Sequence, residues 1–193
     1  MYGRRPYPLH LIRMKNELAF RVALGGVIGS LCLLFMFCSG FLPLFEYTIP
    51  TFAGFLMVIM IVETNAGWAF LTYIAVSLMS ILITPNLQAS LLFVLFMGYY
   101  PILKYFLDKF NARVFIFFVK LAVFNAAAIT FYALFQYVFM TENLLEGMES
   151  FGKYALLVLW AGANVFFLIY DRLLGQLTDI YVNWFRKKIL KRK

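Results

Sequence analysis

The sequence predicts an all-α protein, a six-transmembrane-helix bundle with an amphipathic C-terminal surface helix, on three observations. Of 193 residues, 64% are hydrophobic, 20% aromatic and only 13% charged, whereas a soluble domain is about half apolar and a quarter charged. The apolar residues fall into six stretches between turn-forming and polar clusters, and a bilayer-spanning helix needs roughly 20 such residues. The basic residues gather at the chain ends and in alternate loops, as they do where loops face the cytoplasm.

Taken in order, the spans are expected at 19–42, 49–66, 67–84, 87–107, 113–140 and 151–174. Pro43 to Pro50, Glu63 to Gly67, Thr84-Pro85-Asn86, Asp108 to Arg113 and Thr141 to Ser150 divide them, because these residue types favour turns over helix interiors. Spans two and three are short and separated only by Glu63-Thr64-Asn65-Ala66-Gly67, so they read as a tight pair. A basic tail at 1–18 precedes the membrane domain at 19–174, and a basic segment at 175–193 follows it. In that last segment Leu177, Ile180, Tyr181, Trp184, Phe185 and Ile189 recur at helical spacing, with basic residues at its end. This is the pattern of a helix lying on a membrane surface. The first apolar stretch is too long for the core of a cleavable signal and is expected to stay as an anchor.

With the N-terminus inside, fifteen Lys and Arg residues fall on the cytoplasmic side and only Lys153 outside, while the loop at 141–150 carries Glu142, Glu146 and Glu149. Both termini are therefore expected in the cytoplasm of a multi-pass cell-membrane protein. The net charge of +8 reads as attraction of the tails to an anionic leaflet rather than to nucleic acid.

No enzyme, metal or cofactor chemistry is expected. The one histidine, His10, lies in the basic tail. Cys32 and Cys38 sit six residues apart on one span, which rotates them by about 240° away from each other. Gly147-Met-Glu-Ser-Phe-Gly152-Lys153 matches the start of a phosphate-binding loop, but Tyr154 stands where the magnesium ligand would be and no strand precedes it.

Polar residues within the spans carry more information, since a bare charge at mid-membrane costs at least about 2.5–3.5 kcal/mol. Glu63, Lys104, Lys120 and Asp171 all map to the inner half, an inner charge network in which Lys120 is expected to pair with Glu63 or Asp171. Lys120 lies about 10 Å into its span, too deep to reach water without cost. Asn125 and Asn164 fall near the middles of spans five and six, positioned either to bond across helices or to line a ligand cavity. Glu46, Tyr47, Asn86, Gln88, Gln136 and Tyr137 form a polar outer ring; of these, Glu46 and Gln136 join the two asparagines as candidate substrate-binding residues. Ala19, Ala23, Gly26 and Ser30 share one face of span one, with Gly25 and Gly29 beside them. Small residues at this spacing let another helix approach closely, within the bundle or in a separate subunit.

In size, six spans, topology, the opening Ala19-Phe-Arg-Val-Ala23 and the Phe41-Leu-Pro-Leu-Phe45 loop, the chain resembles the substrate-binding subunits of energy-coupling-factor vitamin transporters over roughly the first five spans. Gly98-Tyr-Tyr-Pro-Ile-Leu-Lys104 looks like a family signature. The resemblance implies uptake of a small water-soluble nutrient or vitamin, with Ala19 and Ala23 docking a membrane scaffold subunit driven by two cytoplasmic ATPases. Arg21 and the Gly25-Gly26 pair depart from that docking pattern. Membrane subunits of the bacterial rod-shape machinery are similar in architecture, so a non-transporting scaffold of the envelope or cell-shape machinery is the alternative expectation.

Overall fold

The computed structural model describes residues 9–41, 45, 47–110, 112–134, 136 and 154–186, with side chains from Glu17 to Trp184. No strand occurs among them: α1 (Leu9–Cys38), α2 (Thr48–Glu63), α3 (Ala66–Ile83), α4 (Leu87–Leu92), α5 (Tyr100–Leu107), α6 (Arg113–Ala133) and α7 (Ala155–Ile180) follow in order. Five stretches are long and apolar enough to cross a membrane, namely Glu17–Cys38, Ala66–Ile83, Leu87–Leu107, Arg113–Ala133 and Ala155–Trp184. The sixth, α2, has 16 residues and rises roughly 24 Å against a hydrocarbon core of roughly 30 Å.

Two boundaries differ from those read in the sequence. α1 starts at Leu9, inside the expected tail, since no Gly or Pro interrupts the chain between Leu9 and Gly25. α7 runs unbroken through Gly175, and a π-helical stretch continues it from Tyr181 to Arg186. Gly175 sits inside that helix beside the stem of Lys104, whose Cε lies 4.0 Å from where a Cβ would stand. The fifth expected span, 113–140, is described only as far as Gln136, and most of the loop before α7, with its acidic residues and phosphate-loop-like segment, lies outside the described residues. Caps are local: the Asn65 side chain accepts from the Trp68 N–H at 2.9 Å to start α3, and Asn86 accepts from the Ala89 N–H at 3.1 Å to start α4, each worth about 1 kcal/mol.

The apolar stretch Leu87–Leu107 is a broken helix. α4 passes into a π-helical turn at Phe93–Met97, and α5 begins only at Tyr100. The Gly98 N–H bonds to Phe93 O at 2.8 Å instead of the Val94 carbonyl that an α-turn would use. Pro101 has no N–H to give to Met97 O. Two tyrosines from neighbouring helices satisfy the released carbonyls: Tyr73 Oη donates to Val94 O at 2.7 Å and Tyr170 Oη donates to Met97 O at 3.3 Å. Buried carbonyls left without donors are costly in hydrocarbon, so the break depends on α3 and α7.

α1 lies against α2 and α3 through Ile28, Cys32 and Met36. The core on the other side is aromatic. Phe96 packs on Tyr100, Phe124 and Phe167 at centroid separations of 4.6, 5.1 and 5.9 Å, and Phe124 stacks on Phe167 at 4.7 Å. This cluster joins the broken span to α6 and α7, with each ring pair adding about 0.5–1.5 kcal/mol beyond burial.

Candidate functional site

At the end of the bundle where α5 stops and α6 begins, four charged side chains meet. Lys104 and Asp108, one turn apart on the same face of α5, approach to 3.4 Å. Lys104 also lies 2.7 Å from Asp171 of α7. Lys120 of α6 reaches Asp108 at 2.6 Å and Asp171 at 3.4 Å. Tyr100 Oη donates to the same Asp171 oxygen at 2.7 Å. Asp171 is the hub, held by two ammonium groups and a phenol. The Lys120 side chain is only 8% exposed, so its charge is stable there only because it is paired. Two lysines against two aspartates leave the quartet neutral.

The expected network is thus revised in membership. Lys104, Lys120 and Asp171 come together; Glu63 has no ion pair to either lysine and instead accepts a hydrogen bond from Tyr181 Oη at 3.3 Å. The nearest acid to Lys120 is Asp108, which the sequence placed in a loop divider. Its spacing of four from Lys104 was the available signal. Glu63 ends α2 while Lys120 projects from α6 toward α5 and α7, which is the physical reason that the pair does not form.

The two central asparagines also meet. Asn125 Nδ2 donates to Asn164 Oδ1 at 3.0 Å and to Leu121 O at 2.8 Å, while Asn164 Nδ2 donates to Trp160 O at 2.9 Å. Trp160, not singled out in the sequence, donates from Nε1 to Asn125 Oδ1 at 2.7 Å. The amides are bonded to one another and to their own helices. Of the other candidate substrate-binding residues, Gln136 is exposed just past α6, roughly 16 Å farther along the helix from Asn125, and Glu46 lies outside the described residues. In the outer ring Asn86 is engaged as the cap of α4.

On α1 the two small-residue rows separate. Gly25 and Gly29 face α3: a Cβ on Gly25 would meet Thr72 Oγ1 at 3.2 Å and Met60 Cε at 3.3 Å, and one on Gly29 would meet Val76 Cγ2 at 3.6 Å. Ala19, Ala23, Gly26 and Ser30 are all exposed, and a Cβ on Gly26 would meet nothing within 4 Å. Packing inside the bundle therefore belongs to the second row.

Among the described residues no cluster of three His, Cys, Asp or Glu side chains is placed to hold a metal ion. The quartet is arranged to tie α5, α6 and α7 together, and the asparagine cluster ties α6 to α7. The chain matches no protein-family model, no curated protein and no solved structure.

Proposed function

We propose that this chain is a six-span cell-membrane subunit with both termini in the cytoplasm, which binds a small water-soluble nutrient or vitamin and relies for its uptake on a separate scaffold subunit with cytoplasmic ATPases. The observation that carries this reading is the exposed face of Ala19, Ala23, Gly26 and Ser30. Gly25 and Gly29 already serve α3, so the first row remains for a helix outside the chain, and small residues allow the closest approach. The alternative, a non-transporting scaffold of the envelope or cell-shape machinery, is favoured by a different observation: Asn125, Asn164 and Trp160 are bonded to one another.

The two readings separate in one experiment. On the transport reading, one member of a panel of water-soluble vitamins stabilises the purified chain against heat, and an ATPase-containing complex co-isolates with the parent but is lost with Ala23→Leu. A chain that no vitamin stabilises and that co-isolates envelope-synthesis proteins is the scaffold. The proposed topology has its own check: in intact cells a membrane-impermeant thiol reagent should modify a cysteine placed at Glu146 and spare one placed at Leu190, in a background lacking Cys32 and Cys38. The opposite labelling pattern would overturn it.

A further inference from the structure

A groove of about 370 Å³ opens on the surface between the start of α3 and the length of α5, lined by Gly67 and Phe70 on one side and by Tyr99, Ile102, Leu103 and Phe106 on the other. From Tyr99 to Phe106 it follows α5 for roughly 10 Å, a large part of the hydrocarbon depth of one leaflet. A Cβ on Gly67 would meet only Asn65 Oδ1, at 3.3 Å, so this glycine keeps the groove open and serves no close helix approach. The walls are almost wholly apolar, and a water-soluble nutrient would leave its polar groups unbonded there.

The mouth has the opposite chemistry. Phe106, a wall residue, carries the Lys109 ammonium 5.3 Å from its ring centroid, and the same ammonium stands 4.1 Å from the Tyr105 centroid. Lys104 and Lys120 are held by aspartates, but among the described residues no carboxylate lies within ion-pair distance of Lys109. An unneutralised cation at the lip of an acyl-sized apolar groove fits an anionic lipid. A zwitterionic lipid would set its own ammonium beside Lys109.

We infer that this groove holds one acyl chain of an anionic glycerophospholipid whose phosphate rests on Lys109. The site is distinct from the nutrient-binding reading and does not depend on it. Offered phosphatidylglycerol and phosphatidylcholine in equal amounts, the purified chain should retain one phosphatidylglycerol in native mass spectrometry with a preference of roughly fivefold, the discrimination expected from one basic side chain. Lys109→Gln, at an exposed position, should lose the preference while still retaining lipid. Gly67→Leu, which fills the groove, should lose the retained lipid while still folding, with at most the small loss of crowding the Asn65 cap. Equal retention of the two lipids by the parent, an unchanged preference in Lys109→Gln, or a second copy of the chain occupying the groove in lipid-free detergent would overturn the inference. If Gly67→Leu does not fold, the Lys109→Gln result decides it.

Discussion

Replacing Asp171 by leucine is expected to destabilise the protein by about 3–5 kcal/mol, the range for removing one partner from a buried ion pair. Asp171 takes Lys104 at 2.7 Å, Lys120 at 3.4 Å and the Tyr100 hydroxyl at 2.7 Å. Its loss leaves two ammonium groups to the half-exposed Asp108 and orphans the phenol of a fully buried tyrosine. Removing the right cation as well should restore much of the loss. In Asp171→Leu combined with Lys120→Met, the survivors are Lys104 and Asp108, a neutral pair one helical turn apart at 3.4 Å. The double variant should therefore be more stable than Asp171→Leu alone, as measured by unfolding in mixed detergent micelles. Strict additivity of the two single losses would show that the quartet is not energetically connected.

The same four residues show what a sequence can disclose about such a site. In a chain with 13% charged residues, Lys120 stands out because apolar neighbours surround it and Asp171 because it follows a long apolar run, and the structure brings the two to one end of the bundle with α5. Asp108 was hidden by its position. It caps the C-terminus of α5, where an acidic residue is equally at home in a loop, and only the three-dimensional approach of α6 gives it Lys120. Trp160 had no pattern of its own beyond lying one turn before Asn164. On α1 both small-residue rows were visible, yet which one faced α3 depended on the rotation of the helix, set by burial of Ile28, Cys32 and Met36. Composition fixes the helical class, because hydrocarbon admits no unsatisfied backbone. Rotation and partner choice come from tertiary packing, and they were not legible.

The break within Leu87–Leu107 was not legible for a related reason, since the sequence shows one continuous apolar stretch there. Pro101 announces a lost hydrogen bond, but π-helical and α-helical turns use the same residue types, and the tyrosines that complete the break come from α3 and α7. A side chain that closes a backbone gap from more than twenty positions away in the chain leaves no local periodicity to read.

That break makes Gly54 the position least tolerant of a single methyl group. A Cβ there would lie 2.5 Å from Met97 O and 2.6 Å from Tyr170 Oη, and the first of these contacts is with backbone, which has no rotamer to escape into. Gly54→Ala must push α2 away from both the π-helical turn and α7, loosening Ala53, Met57 and Tyr170 in the core. We expect a loss of about 3 kcal/mol, the upper end for overpacking a well-filled interior. Gly26→Ala is the matched control: nothing stands within 4 Å of its Cβ, so the gain in helix propensity should raise stability by up to about 1 kcal/mol. A second substitution distinguishes the cause. Pro101→Ala supplies the N–H that Met97 O lacks, draws that carbonyl back into its own helix and away from α2, and should recover part of the Gly54→Ala loss even though either change alone is harmful. Thermal unfolding of the four variants in one detergent measures all of this. Gly54→Ala as stable as the parent, or a Pro101→Ala background that deepens its loss, would show that the carbonyl of the broken span does not set how closely α2 can pack.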